Sequence, residues 1–368
     1  MKIPFVDLHA QYLAHKQAID SAIQNVIEKT DFIKGEDVKL FEQEFAKTYG
    51  SKYCIAVANG TDAIYAALKM LGIGMGDEVI TVANSWISTS ETIGQTGATP
   101  VFVDIDEYFG IDTTKIEQKI TTKTKAIIPV HLYGQAVDIL KVKEICQKHN
   151  LYLIEDCAQS HFATYNNKFV GTFGDLATFS FYPGKNLGAY GDAGAIITDN
   201  EELATKLRMY VSHGALVKHT HIIEGINSRL DTLQAAILRV KLPYIFEWNE
   251  KRYQNAQYFT RKLSKIKQIS LPKERPNSKH IYHVYSIRAE KRNDLQTFLN
   301  ESGISTAIHY PVPLPLMPAY KHLNYSENDI PVANKFKDEI LSLPMYPELS
   351  EDMMDYIVAK IKEFYAHE

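Results

Sequence analysis

The sequence lacks the features that would place it in a membrane, in an oxidising compartment or on nucleic acid. No apolar run approaches the roughly 20 residues that a spanning helix needs. Met1-Lys2-Ile3-Pro4-Phe5-Val6-Asp7 has no signal-like apolar region. Only three of the 368 residues are cysteine, and Cys54, Cys146 and Cys157 show no CxxC spacing, so a disulfide framework is excluded and a reducing cytoplasm is expected. Neither charge sign dominates: 40 Lys and Arg stand against 44 Asp and Glu, a net charge of −4, which argues against general affinity for nucleic acid or an anionic membrane. Thirteen histidines invite a metal, but His213, His219 and His221 have no nearby carboxylate or cysteine to complete a ligand set, so no metal is expected. Internal repeats and low-complexity segments are also missing.

What is present is an ordinary globular composition, 45% apolar, in a chain long enough for two packed domains. From Tyr53 to about Asp199, short apolar runs alternate with helical patterns. The strand candidates are Cys54–Ala58, Glu78–Val82, Val101–Val103, Ala126–Val130, Tyr152–Ile154, Leu176–Phe181 and Ala195–Thr198. Helices are expected over Ala63–Leu71, Ile139–His149 and Glu201–His213. This texture argues for a mostly parallel sheet covered on both faces. Ile19, Ile23 and Ile27 mark an amphipathic N-terminal helix. A long helix from Asp231 to about Leu263 should kink at Pro243. Beyond it a smaller α+β unit is expected: a strand over Tyr282–Ile287 and helices over Asn293–Ser302, Asn334–Leu341 and Glu351–Phe364. The expected division is a large domain over residues 1–245 and a small one over 246–368.

Lys185 carries the clearest chemistry. It sits among Pro183, Gly184, Gly188, Gly191 and Gly194, just after an apolar strand. Glycines let backbone approach a ligand closely, and a desolvated lysine amine sheds its proton and attacks carbonyls. That suits a Schiff-base lysine, although an exposed lysine on a glycine loop reads equally well from this motif alone. Asp156 tips the balance. It falls at the end of an apolar strand, where open α/β sheets bind ligands, and could hold a pyridine nitrogen protonated as pyridoxal phosphate chemistry requires. A strand-end aspartate is more often a helix N-cap; the pairing with Lys185 favours the acid role. Ala58-Asn59-Gly60-Thr61-Asp62, between a strand and a helix, forms a cup of N–H groups for a phosphate or simply a capped turn. Ser180 could add a hydroxyl, and Trp86 a flat ring to stack on the cofactor. Cys157, beside Asp156, reads as a small buried thiol rather than a nucleophile.

With these motifs assembled, the chain resembles the DegT/DnrJ/EryC1/StrS sugar aminotransferases over nearly its whole length. The likeness rests on Pro4–Leu8, Asn59–Ala63, Gly76–Ile80, Pro129–Gly134, Ile154–Ser160, the Lys185 run, Gly225–Asp231, Leu233–Ala236 and His309–Pro311. It implies the aspartate aminotransferase fold type I: a large α/β domain with a mostly parallel seven-stranded sheet between helices, plus a smaller α+β C-terminal domain. It also implies roles. Lys185 would bind pyridoxal phosphate and later move protons, Asp156 would pair with the ring nitrogen, Gln159 would lie near the ring hydroxyl and Trp86 would stack. Gly60, Thr61 and Ser180 would hold the phosphate, and Asn227 would reach the phosphate of a neighbouring subunit in a homodimer. Arg229, His309 and Tyr310 resemble substrate-site residues. Leu314-Pro315-Leu316-Met317-Pro318 departs from the family pattern and puts substrate contacts in that loop in doubt.

Relatives with histidine at the lysine position are dehydratases, so Lys185 favours amino transfer from glutamate. The wording around Lys185 most resembles enzymes of nucleotide-linked 3-keto sugars. A dTDP-3-keto-6-deoxyhexose is preferred over a UDP-3-keto-N-acetylglucosaminuronate. A non-catalytic pyridoxal phosphate regulator would need a partner or a DNA-reading element, and the sequence displays neither an appended basic module nor a helix-turn-helix signal. A purely structural α/β protein would make every motif a coincidence.

Overall fold

The computed structural model describes residues 1–366. Seven five-residue strands form the central sheet: β1 (Tyr53–Val57), β2 (Glu78–Val82), β3 (Thr99–Val103), β4 (Thr124–Ile128), β5 (Tyr152–Asp156), β6 (Leu176–Ser180) and β7 (Gly194–Thr198). Their order is β1-β7-β6-β5-β4-β2-β3. β3, β2, β4, β5 and β6 run parallel, while β7 lies antiparallel to both β6 and β1.

The strands alternate between two buried layers. Ile55 and Val57 point into one with Val79, Ile128, Ile154 and Ile196. Cys54 and Ala56 point into the other with Ile80, Val82, Ile127, Phe179 and Ile197. Both faces are dry because helices cover both, which is why these strands read as continuous apolar runs. Helix Gly60–Met70 lines the first layer and helix Glu36–Tyr49, through Phe41, Phe45 and Tyr49, the second.

A separate core closes the C-terminal part. Its sheet contains β8 (Ile269–Ser270), β9 (Tyr285–Ala289) and β10 (Ile340–Leu343), in antiparallel order β8-β9-β10. Helices Ile245–Leu263, Arg292–Glu301 and Glu351–Ala366 pack on it, and Ile3 from the other end of the chain joins the same cluster.

Several expectations need correction. The Asn334–Leu341 helix is instead a short helix, Pro331–Phe336, followed by β10, because Ile340–Leu343 is buried and pairs with β9. The N-terminal helix Leu8–Lys29 buries Ile19 and Val26, while Ile27 is exposed. Helices Glu36–Tyr49 and Ser88–Gln95 were not anticipated. Pro243 does interrupt the long helix: a 3-10 turn, Leu242–Tyr244, joins Thr232–Lys241 to Ile245–Leu263.

Candidate active site

A cleft enclosing about 900 Å³ opens where the parallel strands end. Gly60, Thr61, Trp86, Asp156, Gln159, Ser180, Lys185, His309 and Tyr310 all line it.

One end of the cleft forms where β1 turns into helix Gly60–Met70. Asn59 caps that helix, its Oδ1 accepting from Asp62 N at 2.8 Å. The remaining N–H groups of such a helix N-terminus are a setting suited to an anion. Ser228 Oγ accepts from Ala58 N at 3.2 Å and braces the turn from behind. Gly60 must be glycine: a Cβ there would lie 2.7 Å from Ser180 Cβ. Thr61 and Ser88 hydroxyls are hydrogen-bonded at 2.7 Å.

The other end holds the acid. Asp156 terminates β5 and is 4% exposed. Its Oδ2 accepts from Thr89 Oγ1 at 2.8 Å and its Oδ1 from Ala158 N at 3.1 Å. No helix starts there, so the N-cap reading does not apply. Burial raises the Asp156 carboxyl; the hydrogen bonds from Ala158 and Thr89 and the Lys185 charge oppose that rise. Lys185 keeps some contact with solvent through the cleft mouth, yet surrounding protein desolvates its amine and lowers it to about 8, against the pull of Asp156.

Gln159 is locked by Tyr133 N, which donates to its Oε1 at 2.7 Å, and donates from Nε2 to Tyr310 Oη at 3.2 Å. Tyr133 Oη donates to the His309 carbonyl. His309 Nδ1 lies 2.9 Å from Ser342 Oγ on β10, so the second core delivers this wall of the cleft. Burial, then the Lys185 charge, lowers the His309 imidazole to about 4. Trp86 is 59% exposed at the rim, its ring centroid 6.0 Å from that of Tyr310.

Asn227 and Arg229 do not line this cleft: Asn227 is exposed, and Arg229 is half-buried. Thr89, Ser88 and Tyr133 were not singled out from sequence. Ser88 and Thr89 lie two and three residues after Trp86, and Tyr133 lies inside Pro129–Gly134, so neighbouring motifs were the available signal. Among the described residues one buried group could suggest a metal, His131, Glu155 and Cys157. Glu155 is already saturated. His131 Nε2 lies 3.0 Å away, and the N–H groups of Gly171, Phe173 and Gly174 donate at 2.7 to 2.8 Å.

Comparison with known proteins decides the assignment. Residues 14–362 match the model of the DegT/DnrJ/EryC1/StrS aminotransferase family. The chain belongs to this family. A Geobacillus stearothermophilus protein named pleiotropic regulatory protein is 47% identical over the full length of both chains. The dTDP-3-amino-3,6-dideoxy-alpha-D-galactopyranose transaminase of Aneurinibacillus thermoaerophilus is 42% identical, over 98% of this chain and 99% of its own. The UDP-2-acetamido-2-deoxy-3-oxo-D-glucuronate aminotransferase of Pseudomonas aeruginosa is 41% identical over the same shares. Among solved structures, Streptomyces venezuelae DesV in complex with a ketimine intermediate superposes with a TM-score of 0.96 at 38% identity, covering 99% of this chain and 98% of that one. NtdA from Bacillus subtilis with bound cofactor PMP gives 0.90 at 33% identity, covering 98% and 85%.

The fold is that of an aminotransferase, and the cofactor is pyridoxal phosphate. The cleft fits it. The Gly60–Ser180 approach leaves a side-chain-free cradle at a helix N-terminus, and a fixed carboxylate and a desolvated amine share the same cleft.

Proposed function

We propose that the chain moves an amino group from L-glutamate to the keto carbon of a nucleotide-linked sugar, for deoxyaminosugar synthesis. The observation that carries this reading is one cleft holding both the lowered Lys185 amine and the buried Asp156 carboxylate. In support, the Aneurinibacillus and Pseudomonas relatives are named for amino transfer to nucleotide-linked sugars. The Geobacillus relative is named for regulation, but an amine and an acid that share one cleft support a chemical role here.

The cofactor, when bound, supplies an electron sink that makes the carbon next to the transferred nitrogen acidic. The protein's own groups do the rest. Gly60, Thr61 and Ser180 would bind the phosphate, and Asp156, held by Thr89 and Ala158, would keep the ring nitrogen protonated. Gln159, fixed by Tyr133 and Tyr310, would help to orient the ring. Lys185 Nζ takes a proton from one carbon and returns it to another. An amine lowered to about 8 has the neutral fraction that this needs near neutral pH.

A dTDP-linked 3-keto-6-deoxyhexose is the preferred acceptor. Among the described lining residues the carboxylates are Asp62, Asp156 and Asp192, and Lys185 is the only Lys or Arg. His309 is neutral near pH 7. This chain's own share of the wall thus offers an acceptor carboxylate no Lys or Arg besides Lys185, which favours an uncharged hexose unless the partner supplies a cation. The proposed assembly is a homodimer in which Asn227 and Arg229 serve the partner's site, and the proposed location is the cytoplasm, where the three free cysteines stay reduced.

The test is a panel of dTDP- and UDP-linked keto sugars incubated with glutamate and read by mass. An aminosugar with stoichiometric 2-oxoglutarate supports transfer; a deoxy sugar would point to dehydration; turnover of the uronate alone would reverse the substrate preference.

A further inference from the structure

Tyr133 does not line the cleft, yet its atoms reach both of the cleft's sides. Its main-chain N–H donates to Gln159 Oε1 at 2.7 Å. Its hydroxyl donates to the His309 carbonyl. Its own carbonyl accepts from Val284 N at 3.3 Å, just before β9. One buried residue thus touches the loop after β5, the wall over residues 308–311 and the second core.

The backbone makes this reach possible. Tyr133 has φ 59° and ψ 2°, in the left-handed region, where a bulky side chain is rare and strained. Gly134 follows with φ 98°, and a Cβ there would lie 2.7 Å from Ile281 Cγ1 and 2.9 Å from His283 N. Two left-handed residues in a row turn the chain sharply, so the Tyr133 N–H faces Gln159 while the Tyr133 and Gly134 carbonyls face Val284 and Ile281.

The wall itself has two anchors. On one side Ala307 pairs with Ser342 on β10 through both its N–H and its carbonyl, and the His309 ring meets Ser342 Oγ at 2.9 Å. On the other side stand two bonds from the seven-stranded part: Tyr133 Oη to the His309 carbonyl, and Gln159 Nε2 to Tyr310 Oη at 3.2 Å. Because Tyr133 N also fixes Gln159, these bonds close a ring. A main-chain N–H can only donate, so it claims the oxygen of Gln159 and turns the nitrogen toward Tyr310. Burial, then the Tyr310 hydroxyl, raises the Tyr133 phenol, so it stays protonated and keeps donating.

We infer that Tyr133 is a positioning residue for acceptor recognition: its hydroxyl clamps the His309–Tyr310 wall in fixed register with Gln159, and so with the bed on which the cofactor lies. The inference rests on the proposed aminotransferase reading, with His309 and Tyr310 as substrate-site residues. A nucleotide-linked sugar is far larger than glutamate and depends more on the placement of this wall.

Tyr133→Phe keeps the N–H bond to Gln159 and deletes only the clamp. Stopped-flow absorbance of the holoenzyme separates the two halves of the reaction, with glutamate and a dTDP-linked 3-keto-6-deoxyhexose as the probes. The glutamate half should stay within about twofold of wild type, since Gln159 keeps its partner. The sugar half should lose roughly tenfold, mainly through weaker binding, the scale of one hydrogen bond. In a cycle with Tyr310→Phe, the double variant should lose less than the product of the single losses, because both bonds hold one segment. Equal slowing of both halves, an unchanged sugar half or a simple product of losses would overturn the inference. Ser342→Ala frees the His309 ring at the opposite anchor and should show the same split between halves, which keeps the clamp testable if Tyr133→Phe folds poorly; equal slowing there would count against it.

Hydrogen exchange of the cofactor-free protein gives a readout independent of turnover. In Tyr133→Phe the amides of Ile308, His309 and Tyr310 should exchange roughly tenfold faster, while those of β5 and β6 keep their wild-type rates. Faster exchange throughout would show a loss of general stability and defeat the clamp. If the wild type shows no glutamate half-reaction, the aminotransferase reading fails as well; a normal wild type with the wrong variant pattern defeats only the role of Tyr133.

Discussion

Thr89 Oγ1 donates to Asp156 Oδ2 at 2.8 Å, so a hydroxyl from the helix after β2 fixes a carboxylate at the end of β5. The bond spans 67 residues of chain, and it joins two elements that meet only because β4 lies between β2 and β5 in the sheet. It holds the acid in place before any cofactor arrives.

Replacing Asp156 with Asn should therefore leave the cleft intact and remove its charge. A loss of about 100- to 1,000-fold in kcat is expected, with the melting temperature nearly unchanged. Steady-state kinetics beside a thermal melt would check this, and near-normal turnover would remove Asp156 from its role.

Lys185→Ala should abolish amino transfer and the covalent label left by borohydride, while the folded state persists. Peptide mapping after reduction is the direct measurement. A label on any other lysine would move the site.

The lowered Lys185 amine makes loading of the cofactor-free protein pH-dependent. Only the neutral amine attacks an aldehyde. Below about pH 8 the loading rate should climb about tenfold per pH unit, and above it the rate should level off. An ordinary lysine would keep climbing toward about pH 10.4. Stopped-flow absorbance across pH 6 to 10 distinguishes the two.

Gly60→Ala should strike the phosphate cradle. The added methyl would meet Ser180 Cβ at 2.7 Å, an overpacking that costs about 1–3 kcal/mol. Cofactor affinity should fall by roughly tenfold or more, as read by equilibrium titration, because the same methyl intrudes on the anion cup.

Glu155 should contribute to acid sensitivity. Burial alone would raise its carboxyl, but the His131 contact and the N–H donors from Gly171 and Gly174 win and hold it below the usual carboxylate range. A depressed folded-state value means that its stabilisation is present above the unfolded value, about 4.3, and is lost as pH falls through the folded one. Glu155→Gln should cost about 3 kcal/mol at neutral pH, seen as a lower urea midpoint, and should flatten the loss of stability below pH 4.

Much of this was legible in the linear chain. Strands buried on both faces advertise themselves as apolar runs, so all seven sheet strands were placed within about two residues of their ends. Lys185, Asp156 and Gly60 stand next to those ends, so their convergence followed from the topology. The second core was harder to read. Its β10 strand follows Lys337-Asp338-Glu339 directly after a short helix, and four apolar residues do not reveal whether they continue that helix. Thr89, Tyr133 and Ser342 act through partners far away in sequence, and no local pattern marks such a pairing. Asn227 and Arg229 came from resemblance alone, and one chain does not bring them to its own cleft.

The wall built from Ile308–Pro311 hangs on β10 through the His309–Ser342 contact, whereas the amine and its acid hang on β5 and the loop after β6. With the roles proposed above for His309, Tyr310, Lys185 and Asp156, recognition and bond-making are encoded in stretches of chain more than a hundred residues apart. A mutagenesis library over residues 308–317 that spares Tyr310, which holds Gln159, would explore new acceptors at a distance in sequence from Lys185 and Asp156.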